Sequence, residues 1–376
     1  MINDIGLIDV LLLMGISQGV FLTVTLPIVH QKNTKPNSIL SIQLAMTSIL
    51  LLSKFILTKA TESWVIQYAS TLEFIIFLFG PLGYMYIRRL LIKGDQNFIL
   101  SWFHYVPAIF YGLFLLYLCS YSQAEYVALY RGGYLRVIFS AVEALALISN
   151  VYYLFRCGKL IFNFEKNEKE QLSFSQPSLR FLKVMFGGIA LILMLWAFSF
   201  ITSIAFGFNN AYLNYNTVWI ALPLLVYGIG FYALRQPEIF RVQLAQKENA
   251  KQKNRLDETE TRELQSSLHT LIHKEHIYLD NELTLAVLAE QLNTSPNNLS
   301  WLLNNVYNSN FYDYINQFRV AAFLEKLDKK EHQRQTLLAL SMEVGFKSKS
   351  TFNKAFKAKL QETPSNYIKR LHAQSV

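Results

Sequence analysis

Seven apolar stretches occupy most of the first 240 positions: Val10–Val29, Ile39–Thr58, Val65–Ile87, Phe98–Leu118, Tyr134–Phe155, Phe181–Phe206 and Tyr215–Leu234. About 20 apolar residues in a helix cross the ~30 Å hydrocarbon core of a bilayer. A helix also satisfies its own backbone hydrogen bonds there. The pattern therefore predicts a bundle of seven transmembrane helices. Met1–Asp9 carries Asp4 and Asp9 and no basic residue, so the first stretch reads as a retained helix and not as a secretory leader.

Charge separates this region from the rest. Residues 1–240 hold 16 Lys+Arg and 11 Asp+Glu, whereas the much shorter 241–376 holds 19 and 15. A membrane domain followed by a soluble one accounts for the split. The net charge of +9 favours anionic partners, either nucleic acid or lipid headgroups. With the N-terminus outside, the inner loops carry ten Lys and Arg, while the outer loops carry only Lys59 and Arg131. That bias places the C-terminus in the cytoplasm.

Lys54, Glu73 and Glu143 are ionisable residues set within the spans. Charge in hydrocarbon is costly, so such residues face the bundle interior and a partner. Two readings stand: a polar sensor site open to the outside, or a structural ion pair with Lys54 reaching the interface. Pro81, Pro107 and Pro223 lie inside spans and are expected to kink them. The last span has no lysine, which excludes a retinal Schiff base. Cys119 and Cys157 read as small residues at helix ends on opposite membrane faces, too far apart to pair.

The domain boundaries that follow are a membrane domain at 1–235, a charged connector at 236–266 and a C-terminal module at 267–376. The connector holds Lys247, Lys251, Lys253 and Arg255 close to the membrane. From about Thr259 it turns helical, with Leu264, Leu268, Leu271 and Ile272 on one face.

The module contains a repeat. Thr284–Leu292, a turn at Asn293–Ser295 and Pro296–Leu303 correspond to Thr336–Val344, a turn at Gly345–Lys347 and Ser348–Phe356. Each copy reads as helix, tight turn, helix. Ser295 is placed to cap the second helix of the first copy, with Pro296 at its first position. Leu299, Leu302, Leu303 and Val306 form its apolar stripe, leaving Asn297, Ser300, Trp301 and Asn304 outside. In the second copy Gly345 supplies a left-handed turn. Phe352 and Phe356 point inward, leaving Lys349, Ser350, Asn353 and Lys354 exposed. Phe311–Leu327 reads as one helix, ~26 Å long, that holds the copies about one turn of DNA apart.

These residues resemble the AraC family of bacterial transcription regulators over about Tyr278–Arg370. The likeness rests on Leu283–Leu303, Phe311–Arg319, Glu343–Phe346, Phe352–Lys357 and Thr363–Tyr367. Phe79–Arg88 resembles a pattern in membrane-bound members. The resemblance implies base reading by Asn297, Ser300 and Trp301 in the first unit, and by Lys349, Ser350, Asn353 and Lys354 in the second. It also implies a bacterial cytoplasmic (inner) membrane. The family often has Gly where this chain has Asn308 and Gln361. Asn tolerates a left-handed backbone, whereas Gln fits it poorly and is expected to alter the last turn.

Residues 347–370 carry Lys347, Lys349, Lys354, Lys357, Lys359, Lys369 and Arg370 against Glu362, a phosphate-neutralising face. The first unit's exposed face has no Lys or Arg. Its Asn residues suit adenine, and Trp301 suits either a thymine methyl or a protein partner. His269, His273 and His276 lack the carboxylate or Cys spacing of a metal site.

The expectation is an all-α chain: a seven-transmembrane-helix bundle followed by a cytoplasmic double helix-turn-helix domain. It is expected to act as a signal-controlled transcription regulator with no catalytic site, metal or cofactor. Its expected partners are double-stranded DNA, the lipid bilayer, an unidentified small-molecule or membrane signal, a second copy of the chain and RNA polymerase. The alternative is a membrane receptor or transporter whose module binds a protein and not DNA.

Overall fold

The structure is a computed structural model that describes residues 5–29, 34–92, 95–174, 177–206, 215–235 and 256–374. The connector cations Lys247, Lys251, Lys253 and Arg255 lie outside these. The described residues are nearly all helical, and the chain divides into two compact units. The first comprises Met1–Phe162 and Pro177–Gln246, and the second Asn163–Gln176 and Lys247–Val376.

In the first unit, α1 (Leu7–Val29) packs along α2 (Thr34–Lys59) and against α9 (Asn216–Arg235). A Cβ on Gly19 would lie 2.2 Å from Ser48 Oγ and 3.5 Å from the Leu44 carbonyl oxygen, so the two helices run close together here and a side chain at this position would displace the serine hydroxyl. The third apolar stretch is not one regular helix. It runs as α3 (Ser63–Ala69), a 3₁₀ segment (Ser70–Phe77) and α4 (Phe79–Leu91). Eight residues of 3₁₀ geometry is long for that form. Ser70 Oγ and Thr71 Oγ1 donate to the carbonyls of Ile66 and Tyr68, competing with the helical amides where the winding changes.

The fourth stretch becomes α5 (Val106–Leu118), followed by α6 (Gln123–Arg131) after a 118° bend. The fifth, α7 (Tyr134–Gln171), continues well past Phe155, and α8 (Pro177–Phe206) follows. Among the described residues, five helical segments are long and apolar enough to cross a membrane, six if the bent pair counts as one, and Asn216–Tyr232 is a shorter apolar helix. Large apolar side chains such as Val24, Leu113, Ile148, Phe155 and Ile204 face outward from this unit. An aqueous surface would not tolerate that much exposed hydrocarbon.

The prolines act differently from expectation. Pro107 sits in the first turn of α5 and Pro81 near the start of α4, where few intrahelical amide bonds are lost; of these three, Pro223 alone is interior to its helix. Cys119 caps the end of α5, but Cys157 is buried in the body of α7, which runs on far beyond it; both thiols are free.

In the second unit, α10 (Glu258–His273) begins with a capping box between Asp257 and Glu260 and buries Leu264, Leu268 and Ile272. The first pair of short helices is α11 (Leu285–Gln291) and α12 (Pro296–Asn305). The long α13 (Phe311–Asp328) leads to the second pair, α14 (Leu337–Glu343) and α15 (Lys349–Leu360), and α16 (Pro364–Gln374) closes the unit. Two cores form, and α13 serves both. Phe311, Tyr314 and Ile315 enter the first core with Leu288, Leu299 and Leu303, whereas Val320, Phe323 and Leu327 enter the second with Phe352 and Phe356.

Two details depart from the sequence reading. Val306 is exposed, because it follows α12 as its C-cap and leaves the buried stripe. Gln361 adopts the same left-handed conformation as Asn308, with φ of 61° and 49°, so the last turn keeps its shape despite the side chain.

Candidate functional site

Each short helix pair is locked by the residue that starts it. Thr284 Oγ1 accepts from the Val287 amide, Ser295 Oγ from Asn298, Thr336 Oγ1 from Ala339 and Ser348 Oγ from Thr351. Such caps contribute about 1 kcal/mol each. They fix the orientation of α12 and α15, the helices whose first turns would enter a major groove.

On α15, Lys349, Ser350, Asn353, Lys354 and Lys357 are exposed together, while Phe352 and Phe356 anchor the opposite side. Lys347, in the preceding turn, is also exposed and donates to Glu282 at 2.8 Å, which holds that carboxyl below its usual range. The basic face is smaller than its lysine count. Lys359 donates to the Gln317 carbonyl at 2.9 Å, and Arg370 pairs with Glu362 at 2.7 Å.

The face of α12 is less available. Asn297 is exposed and Ser300 half-buried, but Asn304 Nδ2 donates to the Ser300 carbonyl of its own helix, and Asn305 Nδ2 to that of Trp301. Trp301 itself is half-buried against the first core. Its indole is thus partly structural, a role that sequence reasoning did not separate from contact with a ligand.

Between the two helix pairs lies a group that sequence reasoning missed. Arg319, on α13, is fully buried. Its Nε donates to the Tyr278 carbonyl at 2.7 Å and one terminal nitrogen to the Asp280 carbonyl at 2.7 Å. Burial pulls its pKa down to about 10, which leaves it charged at neutral pH. An arginine in an otherwise apolar helix stripe was the available signal.

Gly345 packs onto the same Tyr278 carbonyl. At φ +94°, a Cβ there would stand 2.5 Å from the Tyr278 oxygen and 2.8 Å from that of Leu279. The sequence marked this glycine for its turn; the close approach is a second reason for it.

In the first unit, Lys54, Glu73 and Glu143 line one cavity of about 420 Å³. Glu73 lies in the 3₁₀ segment and accepts from the Tyr111 hydroxyl at 3.3 Å. Glu143, on α7, accepts from Trp196 Nε1 at 2.7 Å. The Lys54 ammonium stands 5.6 Å from the centre of the Trp219 ring. The rest of the lining is mostly aliphatic and aromatic, so the cavity combines an apolar wall with two carboxyl groups and one amino group.

His269 and His273 are ring neighbours, and His276 hydrogen-bonds the Tyr278 hydroxyl. Among the described residues no group of three metal-ligating side chains exists.

With this geometry in view, residues 288–370 match a family described as a helix-turn-helix domain. This region is an AraC-type helix-turn-helix domain. The matched span starts within α11 and ends within α16, so it covers both helix pairs, α13 and nearly all of the second core. The match suggests sequence-specific DNA binding by this region. Searches of curated proteins and of solved structures give no match.

Proposed function

We propose that this chain is a membrane-embedded one-component transcription regulator. Seven crossings, with the N-terminus outside, hold it in a bacterial cytoplasmic membrane and leave the AraC-type domain in the cytoplasm. The observation that carries this is the joining, in one chain, of the apolar helices to a double helix-turn-helix whose α15 presents Lys349, Ser350, Asn353, Lys354 and Lys357 together. The ten-to-two bias of basic residues in the loops supports the orientation. The shorter Asn216–Tyr232 helix and the bent α5–α6 pair supply the crossings beyond five. The chain acts by binding and not by catalysis. A second copy and RNA polymerase are its partners at a promoter.

The two readers divide the work. Lysines on and before α15 supply phosphate attraction, while α12 contributes base contacts from Asn297 and Ser300. Replacing both Lys349 and Lys354 with Ala in the full chain is expected to weaken DNA binding about tenfold or more. It should also flatten the dependence of log affinity on log salt by roughly 2, since each phosphate contact contributes ~0.9 to that slope. A gel-shift salt titration reads both. An unchanged slope would remove α15 from the DNA interface.

The cavity is the sensor. Its apolar wall and surplus of carboxyl groups suit a small, mostly apolar molecule bearing one cationic or hydrogen-bond-donating group. Glu73→Gln and Glu143→Gln are each expected to abolish a reporter gene's response in a small-molecule screen while leaving the full chain's DNA affinity unchanged. A retained response in both variants would rule the cavity out as sensor.

A further inference from the structure

The last turns of α7 and the residues after it, in the segment between α7 and α8, belong to the second compact unit, and they lie on the AraC-type domain. The contact is specific. The Ser173 carbonyl accepts from Asn316 Nδ2 at 3.0 Å and from Arg319 at 3.1 Å. Ser173 Oγ donates to the Leu283 carbonyl at 2.7 Å and accepts from Arg319 at 3.1 Å. Leu172 forms an antiparallel bridge with Thr284. Ser173, Asn316 and Arg319 are all buried.

Arg319 shows that this is a built seat. A guanidinium has five N–H donors. Within the domain they reach the Tyr278 carbonyl, the Asp280 carbonyl and Asn316 Oδ1; the remaining bonds go to Ser173. Without the segment, donors of a buried cation lose their partners, an expensive vacancy.

The same segment occupies the DNA-binding cations. The Phe174 ring lies 4.4 Å beneath the Lys347 ammonium, and Glu165 stands 4.0 Å from that of Lys354. A phosphate approaching either lysine meets a ring or a carboxylate already in place. We propose that residues 165–174 are an intramolecular ligand of the DNA-binding domain, seated on Arg319 and competing with DNA for Lys347 and Lys354. This rests on the reading of the domain as a DNA binder. The segment is also covalently suited to carry a signal, because α7 holds Glu143 of the cavity near its start and Glu165 near its end.

The test uses the full chain in lipid nanodiscs, with Cys119 and Cys157 replaced by Ala, and a mixed-sequence DNA duplex at low salt. Leu172→Cys with Thr284→Cys places thiols at bridged positions, where Cα atoms lie within disulfide reach. Oxidation is expected to form the cross-link readily and to weaken DNA binding at least tenfold, and reduction to restore it. Separately, Glu165→Gln with Phe174→Ala, which leaves the DNA-reading helices untouched, is expected to tighten binding about fivefold to tenfold as two weak contacts are lost. Failure of the disulfide to form would overturn the seat. A disulfide that leaves DNA affinity unchanged would overturn the competition. A disulfide that forms in a chain binding no DNA even when reduced would overturn the DNA reading, and the competition with it, while the seat stands.

Discussion

Arg319→Leu is expected to destabilise the C-terminal unit by about 2 kcal/mol or more. The substitution removes one donor from each of the Tyr278, Asp280 and Ser173 carbonyls; Asp280 keeps the Leu283 amide and Ser173 keeps Asn316, so the loss falls chiefly on Tyr278, and a buried acceptor stripped of its partner costs about 1–3 kcal/mol. Leucine fills some of the space and cannot bond any of them. Hydrogen exchange on the full chain is the suitable measurement, because it separates α10–α16 from the apolar helices. Protection should fall in the segment around Tyr278–Asp280 and in α13. Arg319→Lys is expected to lie between the two, since an ammonium keeps the charge but not the planar fork. Unchanged protection in the leucine variant would mean that water already serves these carbonyls.

Gly345→Ala is the second large effect, expected at about 3 kcal/mol. Part is conformational: a residue with a Cβ at φ +94° sits where such residues rarely go, at roughly 1–3 kcal/mol. The remainder is collision with the Tyr278 and Leu279 oxygens, which are backbone atoms and cannot swing aside. Thermal unfolding of the full chain, followed by a probe on the second core, should show that core melting earlier. Because Arg319 and Gly345 meet at the Tyr278 carbonyl, the double variant should lose less than the sum of the two. Strict additivity would contradict a shared contact.

What the sequence made legible was local. The starts of α11, α12, α14 and α15 follow from Thr284, Ser295, Thr336 and Ser348, whose hydroxyls bond amides three residues on. The extent of α13 follows from apolar spacing, and its bounds match the expected helix to within a residue. The grouping of Lys349, Asn353 and Lys354 opposite Phe352 and Phe356 follows from the helical period alone. The cavity was half legible: the cost of charge in hydrocarbon directs Lys54, Glu73 and Glu143 inward, but not toward the indoles of Trp196 and Trp219.

What stayed hidden was long-range or competitive. Ser173 and Arg319 are 146 positions apart, and nothing in either neighbourhood announces the other. The length of α7 was concealed because hydropathy ends a span where charge begins, whereas a helix continues through charged residues such as Glu165 and Lys169, which pair at i,i+4. The 3₁₀ stretch that carries Glu73 arises where side-chain hydroxyls compete with the amide ladder, a balance that apolar periodicity does not report. Trp301 illustrates the same limit: the helical period puts it outside, while its size lets it reach back to the first core.

A footprint by the full chain in lipid nanodiscs shows whether the AraC-type domain binds DNA while the same chain sits in a bilayer. Two adjacent major-groove segments about 10 base pairs apart are expected to be protected, with protection that fades steeply as salt rises and weakens when Lys349 and Lys354 are replaced by Ala. No protection at low salt, from protein whose α11–α16 remain protected in hydrogen exchange, would contradict binding of DNA by this domain.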